Sequence, residues 1–206
     1  MLASGSLVPF LVALSFAAGL NTYATTLTLG VLGRMQWVTL PPGLDVLTHT
    51  WVLAASGALF CCEMFADKIP YVDLVWNFAH TFVRVPVAGL LAYKASSQLT
   101  PGMQAMVVLL SGVVAAVAHG SKTAARTAVS VSPEPVSNIV LSSSEDLAAV
   151  GLTWVATKHP WAAGIAAGVA VIGAVFAVRW IVGSLRRQVG RLRGRFGAGG
   201  EIVRVL

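Results

Sequence analysis

Long hydrophobic stretches make up most of the chain, and short clusters rich in proline, glycine or charged residues separate them. Several stretches approach about 20 residues, the length that an α-helix needs to cross the roughly 30 Å hydrocarbon core of a bilayer. Breaker clusters such as Pro41-Pro42-Gly43 cannot continue a helix, so they mark connections. The pattern predicts six membrane-spanning helices, at about residues 7–32, 49–66, 72–93, 103–129, 136–156 and 161–185.

Four polar residues interrupt the third apolar stretch at helical spacing. They follow one another at intervals of four, three and four residues, which places all of them on one helix face. They are Asp73, Asn77, His80 and Arg84. On insertion scales, a charged residue at the bilayer centre costs about 2.5 to 3.5 kcal/mol. We therefore expect this face to turn toward other helices or toward water, so that the bundle has a polar interior.

The composition agrees with a membrane protein. The chain has 206 residues, of which 56% are hydrophobic and only 11% are charged, and its mean hydropathy is +0.79. Ordinary soluble domains are less apolar and carry about twice this share of charge. The apolar stretches do not alternate with polar residues as the strands of a membrane β-barrel do. The predicted fold class is all-α and integral to the membrane.

The whole chain has a formal net charge of +6, and its basic residues are concentrated at the C-terminal end. Basic residues beside a hydrophobic span set topology and contact anionic lipids, so we expect membrane lipids as partners and no nucleic acid. Residues 1–185 are then a helical bundle and residues 186–206 a basic tail, with both termini on the cytoplasmic side of a bacterial inner membrane. The tail arginines expected to contact lipid headgroups are Arg186, Arg187, Arg191, Arg193 and Arg195.

No motif for a cofactor or a known kind of catalysis is found in the sequence. Cys61 and Cys62 are adjacent, which disfavours a disulfide between them and offers no metal-ligand spacing, so we expect both to pack in the core. The GSKT string at residues 120–123 resembles the end of a phosphate-binding loop, but the first glycine of that motif would fall at Ala115. We therefore predict no enzyme, no cofactor and no metal site.

Two pairs of short segments resemble each other in the same order in the two halves of the chain. Residues 18–24 resemble residues 119–125, and residues 65–71 resemble residues 155–161. The order favours a duplication of three spans. The alternative is coincidence, because glycine and other small residues are common at helix contacts in membranes.

Three duplicated spans enter the membrane with opposite polarity in the two copies, so the duplication predicts an inverted repeat of residues 7–95 and 103–185. Folds of this kind carry interrupted helices that expose unpaired backbone groups near the midplane. Residues 19–22 and 120–123 are the expected glycine-containing interruptions.

The polar residues of the predicted interior are the candidate site. Lys122 and Arg126 are one helical turn apart and can receive an anion together; the equal alternative is that both reach out to lipid headgroups. His80 and His119 can relay protons or can be buried structural histidines. The candidate substrate or ion ligands are Asn21, Thr22, Asn77, His80, Arg84, His119, Lys122, Arg126, Glu145 and Asp146.

The carboxylates divide into two groups. Glu145 and Asp146 are adjacent and therefore point in different directions on a helix, so one is expected to meet a core cation and the other to lie at the inner interface. Carboxylates near Pro70 fit a solvated helix end better than the core. The candidate gating or interfacial residues are Glu63, Asp67, Lys68 and Asp73.

Several of these polar strings carry a resemblance that extends over nearly all of the six-span region. They are residues 19–23, 66–73, His80-Thr81, Arg84, 118–122 and 132–138. In them the chain resembles a bacterial multi-pass membrane family catalogued as domain of unknown function 4126. The resemblance implies that these strings are typical of the family, and it brings no activity. The arginine-rich tail lies outside it.

The functional expectation is a transporter or channel-like protein for a small solute, an ion or an anionic lipid headgroup, with its polar site between the two repeats. The alternative is a non-transporting scaffold or accessory subunit that binds a partner membrane protein or anionic lipids. A cavity beside the polar stripe favours transport, whereas closed ion pairs in a packed core favour the scaffold. Because 206 residues give only a thin bundle, we also expect a homodimer.

Overall fold

The computed structural model describes the backbone of residues 4–129 and 135–202. Within these ranges the chain forms α-helices and no strand, in agreement with the predicted all-α class. The helices are α1 Leu7–Leu20, α2 Thr22–Arg34, α3 Thr50–Ala66, α4 Pro70–Ala95, α5 Pro101–Val129, α6 Pro135–Lys158 and α7 Pro160–Ile202. Each predicted apolar stretch coincides with helix, and the first stretch is divided between α1 and α2.

The division between α1 and α2 falls at Asn21, whose backbone is extended with φ −148° and ψ 103°. The Asn21 side chain caps the new helix, because its Oδ1 accepts a hydrogen bond from the Ala24 N–H at 2.9 Å. The interruption predicted at residues 19–22 is therefore confirmed.

The second predicted interruption, at residues 120–123, is wrong because α5 is continuous through Gly120. Two hydroxyls near this position donate back to carbonyls of their own helix. Ser121 Oγ donates to the Ala118 carbonyl at 2.7 Å, and Thr123 Oγ1 donates to the His119 carbonyl at 3.0 Å. Serine and threonine that bond in this way are accommodated inside a helix, so the glycine alone does not break it.

Helix α1 lies at the centre of the bundle and packs against α4, α5, α6 and α7. Its close approach to α5 depends on Gly19, since a Cβ built there would lie 2.5 Å from the Ala115 carbonyl oxygen and 2.7 Å from Ala118 Cβ. Only glycine allows backbones to approach this closely. The contact brings the break after α1 directly against α5.

Three helical segments are long and apolar enough to cross a membrane, namely Pro101–Arg126, Ile139–Lys158 and Pro160–Ser184. Their outward faces carry exposed apolar side chains such as Leu109, Ile165 and Phe176, as the lipid-facing side of a membrane helix does. Helix α3 is apolar but has 17 residues, which gives a length of about 25 Å. The fold thus combines membrane-length helices with shorter apolar ones.

Helix α7 continues beyond its membrane-length segment, which ends at Ser184, close to the predicted end of the span near residue 185. No proline stops the helix there, and it extends to Ile202. One expectation about an individual segment is corrected. Cys61 and Cys62 are exposed and do not pack in the core, because α3 turns the face that carries Glu63 and Ala66 inward.

The close packing at Gly19 generates a prediction with a matched control. We expect Gly19→Ala to lower the free energy of unfolding by about 1 to 3 kcal/mol, because the added methyl group overpacks the contact with α5. Gly120→Ala should change stability by less than about 1 kcal/mol, since no atom lies within 4 Å of a Cβ there. Thermal unfolding in detergent, followed by circular dichroism, measures both; equal effects would contradict the close contact.

Candidate functional site

A network of charged side chains from four helices is buried at the level of the α1–α2 break. No member is more than 8% exposed. The members are Glu63 on α3, Asp67 at the C-terminal end of α3, Arg84 on α4, Lys122 and Arg126 on α5, and Glu145 on α6. Apolar side chains of the bundle surround these charges, so each ion depends on its partners rather than on water.

Arg84 joins the network to the broken helix. Its Nη2 donates to Glu63 Oε1, and its Nη1 donates to the carbonyls of Gly19 at 3.1 Å and Leu20 at 2.9 Å. These carbonyls belong to the last turn of α1, where the break removes their helical partners. A cation at this position is also favoured by the negative end of the helix dipole.

Lys122 lies at the centre of the network and is shared among several oxygens. Its Nζ lies 3.2 Å from the Leu20 carbonyl, 2.9 Å from Asp67 Oδ2, and 3.4 Å from both Glu63 Oε1 and Glu145 Oε2. One ammonium group therefore links α3, α6 and the end of α1.

Arg126 forms the other end of the network, one turn further along α5. Its Nη2 donates to Asp67 Oδ2 at 2.9 Å and to Glu145 Oε2 at 2.8 Å, and its Nη1 donates to the Asp67 carbonyl at 3.1 Å. The alternative that Lys122 and Arg126 reach out to lipid headgroups is wrong, since they are 2% and 3% exposed.

The histidines flank the network with defined tautomers. Arg84 Nη1 lies 3.1 Å from His119 Nδ1, and because arginine can only donate, Nδ1 accepts and the ring proton is on Nε2. His119 Nε2 then donates to Thr81 Oγ1 at 2.8 Å. His80 has the opposite arrangement, with Nδ1 donating to the Trp76 carbonyl at 2.7 Å and, in the neutral ring, Nε2 accepting from the Tyr23 hydroxyl at 3.0 Å.

Asn21 connects the helix break to α6. Its Nδ2 donates to Asp146 Oδ1 at 2.8 Å while its Oδ1 caps α2. Glu145 and Asp146 thus take different partners, as predicted from their adjacency. Glu145 contacts the core cations Lys122 and Arg126, as expected of one member of the pair, and the less buried Asp146 contacts the break.

The structure brings most of the predicted site residues together and corrects others. Glu63 and Asp67 are not solvated interfacial residues but fully buried members of the network, because α3 ends against the cations of α4 and α5. Lys68 lies outside the network, with its Nζ 6.0 Å from the centre of the Phe65 ring. Thr22 donates to the Ala18 carbonyl of its own chain segment and has no contact with the charges.

The remaining candidates are placed only in part. Asn77 is buried, and its carbonyl accepts from Thr81 Oγ1 at 3.2 Å. Arg186 and Arg187 are exposed on α7. The side chains of four predicted residues lie outside the described part of the chain: Asp73, Arg191, Arg193 and Arg195.

The sequence reasoning missed several groups that complete the site. Tyr23, Trp76 and Thr81 hold the two histidines. Tyr23 and Thr81 lie in strings that carry the family resemblance, but no role was predicted for them, and Trp76 had no signal. The Gly19 and Leu20 carbonyls carry no side-chain signal, and only the interruption predicted at residues 19–22 pointed to them. Among the described residues, no group of histidine, cysteine and carboxylate side chains is arranged to hold a metal ion.

Comparison with known families gives one match. The model of a family described as a domain of unknown function, DUF4126, matches residues 8–180. The matched part runs from the start of α1 into α7 and includes every member of the charge network. No curated protein and no solved structure matches the chain.

Burial of the network generates a second prediction. We expect Arg84→Gln to lower the free energy of unfolding by about 3 to 5 kcal/mol, because it leaves Glu63 buried without its closest cation. The matched control is Arg34→Gln, since Arg34 is exposed and bonds Thr50 Oγ1 at 2.8 Å near the surface; its cost should stay below about 1 kcal/mol. Denaturation in mixed micelles, followed by tryptophan fluorescence, compares the two, and similar losses would contradict the ion pairing.

Proposed function

The chain belongs to the family described as a domain of unknown function, DUF4126, and from this premise we propose that it is a transporter or channel-like membrane protein for a small solute or ion. The observation that carries the proposal is the charge network at the break between α1 and α2. An anionic lipid headgroup is included among the candidate substrates, since the same cations would bind its phosphate.

The cost of the network supports a functional role. Buried ion pairs contribute little net stability, and well-packed apolar residues of similar volume are often as good or better. Ionisable residues inside a membrane protein therefore mark ion or substrate paths more often than structural supports. Secondary transporters bind their substrates where a helix is interrupted and its free carbonyls face polar side chains, as the Gly19 and Leu20 carbonyls do here.

We assign roles according to the contacts. Lys122, Arg126 and Arg84 are the anion or counter-ion contacts, Glu145, Asp146 and His80 are the coupling or gating groups, and Asn21 holds the break. Lys122 is the central residue, because it contacts three carboxylates on two helices. A bound anion would take the place of one of these carboxylates.

For the architecture we propose six crossings, in which α1 and α2 together make the first. The proposal includes the inverted repeat, supported by the packing of α1 on α7 and of α4 on α5, which are equivalent pairs under that symmetry. The proposal also includes a location in a bacterial inner membrane, with both termini in the cytoplasm. The basic end of α7 would bind anionic headgroups, and two copies would form a homodimer.

A second function is favoured by a specific observation. Every cation of the network forms an ion pair with at least one carboxylate. This is the closed core expected of a non-transporting scaffold. Such a protein would hold a partner membrane protein or anionic lipids through the basic end of α7. In the transporter reading the same closed network is an occluded state.

Charge movement distinguishes the two functions. In proteoliposomes on a solid-supported membrane, we expect concentration jumps of K⁺, Cl⁻, phosphate or protons to give a transient current for at least one of these ions. Lys122→Gln should reduce that current at least about tenfold, because one interaction lost in a low-dielectric site costs more than about 1.4 kcal/mol. The matched control is Arg187→Gln, an exposed cation outside the network, which should leave the current unchanged. Absence of current with all four ions, or a current lost only in Arg187→Gln, would favour the scaffold.

The proposed topology predicts which sides of the membrane two exposed positions occupy. With Cys61 and Cys62 replaced by alanine, Gln98→Cys in the turn after α4 and Arg187→Cys on α7 should react with a membrane-impermeant maleimide from opposite sides. An even number of crossings between the two positions would label both from the same side and would contradict the proposed six spans. Labelling after detergent permeabilisation controls for the reactivity of each cysteine.

A further inference from the structure

Asp146 differs from the other carboxylates of the interior. Glu63, Asp67 and Glu145 each contact at least one cation. Within the described part of the chain, Asp146 makes no ion pair, and its Oδ1 accepts a hydrogen bond from Asn21 Nδ2. It is also the less buried of the two α6 carboxylates, so it lies at the edge of the network.

Among the side chains that the structure describes, the charges around Asp146 do not balance when it is ionised. The described network holds the cations Arg84, Lys122 and Arg126 against Glu63, Asp67 and Glu145, and Asp146 adds a fourth carboxylate. The charged groups that influence it electrostatically are Lys122 on α5, Glu63 on α3 and Asp67 just after α3. Glu145 precedes it on α6, and Asn21 at the break is its hydrogen-bond donor. His119 cannot supply the missing charge, because its Nδ1 accepts from Arg84.

A net charge is expensive in an apolar interior, so the site favours a species that brings one positive charge. The orientation of Asn21 decides which species fits. Its Oδ1 is used by the Ala24 N–H, so an N–H donor points at Asp146 from 2.8 Å. A hard metal cation needs several oxygen ligands around it, whereas a proton needs one lone pair of the carboxylate.

We propose that Asp146 is a proton-binding site and that this proton is the coupling ion of the protein. The assignment as coupling ion rests on the proposed transport function, while proton binding itself does not. Protonation acts on the helix break, because it removes the charge from a charge-assisted hydrogen bond to the residue that caps α2. Binding of the proton therefore weakens a hydrogen bond at the break, next to the carbonyls of α1 that have no helical partners.

Infrared difference spectroscopy of the full chain in lipid, between neutral and acidic pH, tests the site. We expect acidification to produce the C=O stretching band of a protonated carboxyl group in an apolar environment. The band should be lost in Asp146→Asn and kept in Asp45→Asn, which removes an exposed carboxylate near the start of α3. Labelling all aspartate carboxyl carbons with ¹³C should shift the band in the unsubstituted chain, which assigns it without a substitution.

Asp146→Glu is a second variant, which decides the test even if Asp146→Asn does not fold. In Asp146→Glu we expect the band to remain, but the aspartate label should no longer shift it. A band that survives Asp146→Asn, or that the aspartate label does not shift, overturns the proposal. Loss of the band in Asp146→Asn together with no ion-driven current in the unsubstituted protein would support proton binding and overturn only the transport function.

Discussion

The structure depends on the compensation of one charge, the guanidinium of Arg84, which is fully buried among apolar helices. An ion in such an environment costs several kcal/mol unless its hydrogen-bond donors are satisfied and an opposite charge is close. Glu63 supplies the charge, and the carbonyls of Gly19 and Leu20 take further donors. The carbonyls are free only because α1 ends there. The broken helix and the buried arginine therefore require each other.

Asn21 compensates for the break at the start of α2, as Arg84 does at the end of α1. Without a cap, the first N–H groups of α2 would be unsatisfied in an apolar interior, and Asn21 Oδ1 takes one of them. The Nδ2 amide of the same side chain donates to Asp146 Oδ1 and holds that carboxylate in position. A single asparagine thus couples the geometry of the break to α6, and Gly19 lets α5 approach closely enough to bring Lys122 to the same place.

Periodicity was sufficient to predict the helices and the inward face of α4, because residues 77, 80 and 84 repeat at helical spacing and all three are buried. It failed at Glu63 and Asp67, which end a helix next to Pro70. A sequence cannot distinguish a helix end in water from one covered by neighbouring helices, since tertiary packing decides this. It also failed at Gly120, which resembles Gly19 in local composition but is followed by hydroxyls that bond within the helix. The carbonyls at the end of α1 have no side-chain signal, and only the interruption predicted at residues 19–22 pointed to them.

The arrangement of charges also determines how the network could change. An isolated buried ion pair must be broken before its helices move, and the cost of the unpaired ions opposes the movement. Lys122 instead lies within 3.4 Å of carboxylates on both α3 and α6, and Arg126 bridges the same two helices. A shift of α5 relative to α3 or α6 can therefore exchange one carboxylate for another while each cation keeps a partner. Sharing of this kind is compatible with two packings in which every cation keeps a carboxylate, and two such arrangements are what a bistable element in a helical bundle requires.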